Sequence, residues 1–256
     1  MHLRELRFLR LKGFGGNKNN TNYKNNHSLI LIMHRQIVLT ADGSHTVSIP
    51  GMNVTYHSVY GAIQESKHVF IQAGLHYASG RFTRPDALSV LEIGLGTGLN
   101  ALLSLIEAEN NHRQIHYTAI EPFPLSVEEI TLLNYCKQLN RSELQDTFTD
   151  LHASEWEKDI ALASLFTIYK TRQSLQQLTT TEQYNLVYFD AFAPAAQPEL
   201  WTKEVFESLY QMLSPGGVLV TYCSKGDVRR AMQDVGFGIE KPAGPPGKRE
   251  MIRATK

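Results

Sequence analysis

The run Leu88-Ser89-Val90-Leu91-Glu92-Ile93-Gly94-Leu95-Gly96-Thr97-Gly98-Leu99-Asn100 constrains this chain more than any other segment. Residues with strand character pass into glycines at alternate positions, and an apolar helical pattern over 99–109 follows at once. A strand that turns so sharply into a helix needs backbone conformations that glycine takes at little cost, and it brings bare backbone close to a ligand. The alternation continues downstream: 115–120 reads as a strand, and 126–139 as a helix opened by the capping box Ser126-Val127-Glu128-Glu129. Segments 185–190 and 217–222 read as strands, 198–213 as a helix, and 227–235 as a helix stopped by Gly236. Short β-rich pieces close the chain at 237–241 and 250–254. This pattern predicts an α/β fold with a mostly parallel sheet, helices on both faces, and a ligand at the carboxyl ends of the strands. Ahead of it, 37–40 and 46–49 flank Asp42-Gly43-Ser44 and predict a small β-hairpin.

Composition excludes some classes. Of 256 residues, 42% are hydrophobic and 20% charged, which is globular rather than disordered. The most apolar run, Leu29-Ile30-Leu31-Ile32-Met33, is far too short to span a bilayer, so no membrane is expected. Two cysteines, Cys136 and Cys223, make no disulfide framework and read as buried thiols in a reducing cytoplasm. The ten histidines show no ligand spacing, and no metal is expected. The zero net charge hides a split: residues 1–36 carry seven Lys/Arg against one acid, and 220–256 carry eight against four. Such asymmetry permits a basic footprint on a neutral protein, although solvated faces give the same counts. The Gly- and Asn-rich stretch 13–26 has nothing to pack with. We therefore expect residues 1–32 to be an extension upstream of a physiological start at Met33. A hairpin and lead-in segment over 33–86 and a core over 87–256 would follow.

The glycine turn is G-x-G-x-G with Glu92 two positions before it, unlike the G-x-G-x-x-G of dinucleotide sites. A carboxylate there argues against a pyrophosphate and suits a cation, such as the ammonium of a methionine-derived cofactor. Glu121 ends the second strand 23 residues after Gly98, where a carboxylate can accept both ribose hydroxyls. Together these read as an S-adenosylmethionine site, with NAD as the rival and a structural turn as the plain alternative. Asp190 ends the central strand opposite the turn, where a carboxylate can accept an amine proton; an N-cap or loop aspartate is the plain alternative. Phe192 and Pro194 follow in a rigid turn able to stack a base. Glu65 or Gln64 can border the cofactor pocket, although solvated surface is the simpler reading, and Trp201 reads as core.

Four segments together resemble one family within the class I, Rossmann-like methyltransferases. They are 92–100, Ile120-Glu121-Pro122-Phe123-Pro124-Leu125, Phe189-Asp190-Ala191-Phe192-Ala193-Pro194 with Pro198-Glu199-Leu200-Trp201, and Lys248-Arg249-Glu250-Met251. The stretch 213–236 also matches. The chain is similar over about 47–254 to the methyltransferase domain of the bifunctional MnmC proteins and the stand-alone MnmD form. The resemblance implies a mostly parallel seven-stranded sheet. It also implies methyl transfer from S-adenosylmethionine to 5-aminomethyl-(2-thio)uridine at the tRNA wobble position, with the anticodon arm as partner. It implies cofactor-binding roles for Glu92, Gly94, Gly96, Gly98, Asn100, Glu121 and Asp190, and a catalytic role for Asp190. Phe192, Pro194, Arg229, Lys248 and Arg249 would face the tRNA. Bifunctional relatives continue into a FAD-dependent oxidase domain; this chain stops at Lys256, so no FAD is expected. Relatives also carry Gly-Asp beside the adenine, where this chain has Tyr169-Lys170, and the loop 243–247 is richer in proline. A small-molecule methyltransferase or an aminopropyltransferase-like enzyme on the same fold is the alternative.

Overall fold

The computed structural model describes residues 34–82, 87–178 and 180–256. The expectations for residues 1–32 and for a start at Met33 lie outside them.

Eight strands form the main sheet, in the order β10-β11-β9-β8-β4-β5-β7-β6. They are β4 (Leu88–Ile93), β5 (Ile115–Ile120), β6 (Asp159–Ala163), β7 (Phe166–Thr171), β8 (Tyr184–Phe189), β9 (Leu213–Thr221), β10 (Gly238–Glu240) and β11 (Ile252–Thr255). From β9 to β7 all neighbours are parallel, while β6, β11 and β10 pair antiparallel at the two ends. The centre was legible because strands covered on both faces read as continuous apolar runs. Alternate side chains serve opposite layers. Val90, Leu186, Tyr188 and Val220 pack with the helix Leu99–Asn110 and the π-helical stretch Lys67–His76. Leu91, Val187, Phe189 and Leu219 pack with the helices Lys203–Met212 and Gly226–Val235.

From β4 the chain steps through β5 to β7, then returns to lay β8 against the other side of β4. The strand order therefore reverses between β4 and β8, and the crevice beyond their carboxyl ends is where an open α/β sheet binds ligands. The Asp190 N–H donates to Ile93 O at 3.1 Å and fixes the two strand ends side by side.

A second sheet, β1 (Gln36–Leu39), β2 (His45–Ile49) and β3 (Val54–Thr55), is antiparallel. It contains the expected hairpin and adds a third strand. Val47 from β2 joins the core cluster that covers one face of the main sheet.

Several boundaries differ from the sequence expectation. The large sheet has eight strands rather than seven, because β6 folds back antiparallel on β7, and neither strand was anticipated. The capping box at Ser126 forms, but the helix stops at Thr131 and resumes only over Tyr135–Gln138. The break frees Asn134 to accept from His45 N at 2.8 Å and donate to Gly43 O at 2.9 Å, tying the hairpin turn to the core. Pro198–Leu200 is a 3-10 turn, and the helix proper starts at Lys203, where the Thr202 hydroxyl caps it by accepting from Val205 N. The strand after Lys248 and Arg249 is not at the edge; β10 lies outside it.

Candidate active site

All three glycines of the turn have positive φ: 92° at Gly94, 51° at Gly96 and 72° at Gly98. A Cβ on Gly94 would stand 3.1 Å from Asp190 O, one on Gly96 2.9 Å from the Tyr56 ring, and one on Gly98 2.7 Å from His152 Nε2. The turn needs glycine for its own conformation and because neighbouring parts of the chain press on it.

Two glutamates flank the turn from below. Glu121 Oε2 accepts from Gly96 N at 2.9 Å, and its Oε1 accepts from Phe123 N at 2.8 Å. One lone pair remains on each oxygen for hydroxyl donors. Burial raises the pKa of Glu121, partly offset by those two N–H donors. Glu92 is fully buried at the end of β4, and burial pushes its pKa from 4.5 up to about 8. Its Oε1 accepts from Asn100 Nδ2 at 2.9 Å, while Oε2 is shut from solvent without a well-formed hydrogen bond, and the neighbouring Tyr117 hydroxyl partly offsets the effect of burial on the pKa.

Asn100 joins the two strand ends chemically. The same Nδ2 donates to Asp190 Oδ2 at 2.9 Å, so one side-chain amide bridges Glu92 and Asp190. Burial and the nearby Glu92 raise the Asp190 pKa well above the usual carboxylate range. The structure thus brings together Glu92, Gly94, Gly96, Gly98, Asn100, Glu121 and Asp190, the complete set singled out for cofactor and catalysis.

Aromatic groups wall the space beyond Asp190. Phe192 is half-buried and meets the Tyr56 ring edge-on at 5.1 Å; its N–H donates to Gln197 Oε1, and its carbonyl accepts from Trp201 Nε1 at 2.8 Å. Trp201 is core, as expected, and its indole N–H is what fixes Phe192. Pro194 is half-buried in the same turn. Tyr222 follows β9, and its hydroxyl donates to Ala191 O at 2.8 Å.

The residues expected at the tRNA separate. Lys248 turns inward: its Nζ donates to Glu65 Oε1 at 2.6 Å and sits 3.9 Å from the centre of the Tyr222 ring. Arg249 points out, 90% exposed, with Glu250 3.6 Å away. Arg229 is half-buried, with Nε shut from solvent and without an acceptor among the described residues. Glu65 was read as more simply solvated surface; it is in fact buried, while Gln64 is exposed. Glu65 and Lys248 meet only through the tertiary fold, which is why sequence reasoning missed the pair.

At the corner where relatives carry Gly-Asp, Lys170 is completely buried. Its Nζ donates to the carbonyls of Leu151, His152 and Ser154 at 2.7, 2.8 and 3.0 Å, closing the carboxyl end of the helix Gln145–Ala153. Lys170 therefore caps a helix, and its charge is spent on those carbonyls. The helix end in turn presents His152, whose Nε2 lies 3.1 Å from Thr97 O in the glycine turn. Burial lowers the His152 pKa to about 4, so the ring is neutral and donates to that carbonyl.

The residues present fit a cofactor with an ammonium and a vicinal diol. Glu92 offers a buried oxygen that lacks a well-formed hydrogen bond and has only the Tyr117 hydroxyl nearby, and Glu121 keeps acceptor capacity on both oxygens. Among the described residues no group of three or more His, Cys, Asp or Glu is arranged to hold a metal, and no helix is long and apolar enough to cross a membrane.

Comparison with known proteins agrees with this geometry. Residues 135–256 match a family model described as S-adenosyl-L-methionine-dependent methyltransferase. The chain is 31% identical over 205 residues to the tRNA 5-methylaminomethyl-2-thiouridine biosynthesis bifunctional protein MnmC of Leptospira interrogans, covering 77% of this chain and 32% of that protein. The chain thus spans about a third of the length of the curated relatives it matches. Among solved structures, MNMC2 from Aquifex aeolicus superposes with a TM-score of 0.71 at 21% identity, covering 93% of this chain and 78% of that one. A probable spermidine synthase from Corynebacterium glutamicum shares the fold more distantly, with a TM-score of 0.51 at 19% identity, covering 88% of this chain and 77% of that one. Residues 135–256 thus match the model of an S-adenosyl-L-methionine-dependent methyltransferase family, and the chain has the fold of MNMC2.

Proposed function

We propose that this chain transfers a methyl group from S-adenosylmethionine to the amine of 5-aminomethyl-(2-thio)uridine at the wobble position of tRNA. We propose further that it acts in the cytoplasm on the anticodon arm, without flavin or metal, on a substrate whose aminomethyl group another reaction supplies. The observation that carries the reading is the pair of carboxylates at the strand reversal, buried Glu92 and half-buried Asp190, bridged by Asn100. The MnmC relatives supply the substrate class, since they are named for biosynthesis of the 5-methylaminomethyl-2-thiouridine of tRNA.

When bound, the cofactor supplies an electrophilic methyl on a sulfonium. Glu92 Oε2 would take its ammonium, the free lone pairs of Glu121 its ribose hydroxyls, and the glycine turn its backbone-facing edge. Asp190 serves the substrate. An alkylamine is mostly protonated at neutral pH and has no lone pair to attack with until a base takes a proton. Burial beside Glu92 makes the Asp190 carboxylate a stronger base, closer in proton affinity to the amine it must deprotonate. The Tyr56 and Phe192 rings can flank a base and keep water from the reacting nitrogen. Holding nitrogen and methyl in line accounts for much of the remaining rate, up to about 7–11 kcal/mol in the best intramolecular cases.

The test is purified protein with S-adenosylmethionine and tRNA carrying 5-aminomethyl-2-thiouridine, read by nucleoside mass spectrometry. One methyl group on the wobble nucleoside is expected. Methylation of a small amine but not of this tRNA would favour the small-molecule alternative and overturn the proposal. Asp190→Asn should lower turnover by about 10²–10⁴ while cofactor still binds, with partial recovery as pH rises and the amine deprotonates unaided. Unchanged turnover would make Asp190 a structural residue.

A further inference from the structure

A primary ammonium is already bound near Asp190, and it belongs to the chain itself. Lys248 Nζ rests on the Glu65 carboxylate at 2.6 Å and over the Tyr222 ring at 3.9 Å. A carboxylate together with an aromatic face is the pairing that recognises an alkylammonium, through a charge-assisted hydrogen bond and the ring quadrupole.

The surroundings make this a built site. Glu65 is 6% exposed, and its other oxygen accepts from Ser58 N at 2.6 Å, so the carboxylate is fixed. Tyr222 is pinned by its hydroxyl to the residue after Asp190. Lys248 is delivered by a closed turn in which Lys248 N donates to Pro245 O and Gly244 N to Arg249 O, with the Tyr60 ring packed on Gly247. The charge of Glu65 raises the Asp190 pKa and that of Lys248 lowers it, so both lie within electrostatic range of that carboxylate. Lys248 nevertheless keeps 32% of its side chain exposed, at the end of a flexible methylene stem.

We propose that Glu65 and the Tyr222 ring form the subsite for the substrate's aminomethyl cation, and that Lys248 fills this subsite until substrate displaces it. The end of a lysine, –CH2–NH3+, is the same chemical group as an aminomethyl cation, so the chain carries its own mimic of the substrate. The inference rests on the amine-methylation reading above. On exchange, the substrate ammonium replaces Lys248 on Glu65 and keeps one N–H on that carboxylate. A second proton passes to Asp190. The freed lone pair forms the N–CH3 bond as the S–CH3 bond breaks, its electron pair staying on sulfur. The product leaves as a methylated ammonium, and Asp190 returns its proton to solvent. Glu65 contacts substrate, and Lys248 is a positioning residue.

The test compares anticodon stem-loops bearing 5-aminomethyluridine or plain uridine at the wobble position. Each is titrated into the full chain with S-adenosylhomocysteine present, so the ratio of affinities isolates the amine from the phosphates. Glu65→Gln keeps an acceptor for Ser58 N but loses the charge, and should lower the ratio about 10-fold to 100-fold. Lys248→Met removes the internal competitor and should raise it about threefold to tenfold. Opposite signs at two paired residues are what a structural ion pair cannot give. Equal losses in both variants, or no change in either, would overturn the subsite. If Glu65→Gln melts early, Tyr222→Leu supplies the same test: a lowered ratio supports the subsite and an unchanged one overturns it. A wild-type ratio of one with S-adenosylhomocysteine bound would overturn the amine reading itself, and no binding of S-adenosylhomocysteine would overturn the cofactor assignment.

Discussion

Glu92 is a residue whose charge this fold accommodates poorly. Burial moves its pKa from 4.5 to about 8, so at neutral pH the ligand-free protein holds a proton there that the unfolded chain has released. Stability must then fall as pH rises between those values. Two buried histidines work the other way at lower pH: His57 and His152 have pKa values depressed from 6.5 to about 4, so their contribution is lost as pH falls below 6.5. The Glu92 carboxylate therefore dominates above pH 6.5. Thermal melting of the ligand-free protein should show stability declining from pH 6.5 to about 7.5, with a shallower decline in Glu92→Gln. A flat wild-type profile would mean that Glu92 is ionised and compensated by a group not identified here. Glu92, Asp190 and the glycines were legible in the sequence because strand ends and turn spacing are local properties. Glu65 and Lys248, 183 positions apart, were not. Glu65 alone reads as solvated surface and Lys248 as a tRNA contact, and only packing of the segment before the glycine turn against the last loop makes them a pair.

Among the elements, the helix Gln145–Ala153 does the least expected work. It contributes no residue to the sequence-derived site, yet its carboxyl end buttresses the glycine turn through His152 and Thr97. Lys170 holds that end by donating to three carbonyls that lack helical partners, and the Trp156 ring lies 4.9 Å from its ammonium. Burial lowers the Lys170 pKa to about 8, which leaves it mostly charged at neutral pH, as its acceptors require. Lys170→Met should cost about 2–4 kcal/mol in denaturant unfolding, because it leaves buried carbonyls unpaired. It should also weaken S-adenosylmethionine binding in calorimetry by loosening the clamp on Thr97. Full retention of both would mean that water replaces the ammonium and that the helix end is held by its apolar contacts alone. The sequence showed an anomaly at this corner without its meaning, since a lysine in place of an acid says nothing about which carbonyls it will reach. It also missed β6, which is exposed or half-exposed throughout, and β7, which is half polar, whereas β4, β5 and β8 stood out because both their faces are buried. The continuous helix expected over 126–139 failed for a related reason: apolar periodicity persisted across a break made by the side-chain clasp of Asn134 on the hairpin.

For the molecule as a whole, the difficulty is a neutral chain that would hold a polyanion. Local charge must do it, and the structure divides the basic carboxyl-terminal segment into groups already engaged and groups still available. Lys248 is committed to Glu65, Arg253 to Glu240, and Lys256 donates to Leu213 O at 2.6 Å. Arg229 can offer only the tip of its guanidinium. Arg249 stands apart: it is 90% exposed, it directly follows the lysine of the proposed amine subsite, and its one ion-pair contact among the described residues is Glu250 at 3.6 Å. An exposed pair of that length is worth at most about 1 kcal/mol, so a phosphate can take Arg249 from it at little cost. Glu250 would keep Lys241 at 3.1 Å. Arg249→Ala should therefore lower the slope of log affinity against log salt for an anticodon stem-loop by about 0.7–0.9, the value of one phosphate contact, without changing S-adenosylmethionine affinity. Lys248→Met should leave that slope unchanged, because its ammonium is held by a carboxylate inside the site. The pair of outcomes separates phosphate grip from amine recognition in two adjacent residues. If Arg249→Ala leaves the slope unaltered, the RNA backbone crosses a different face, and the wobble base must reach Asp190 without help from the loop that carries Lys248.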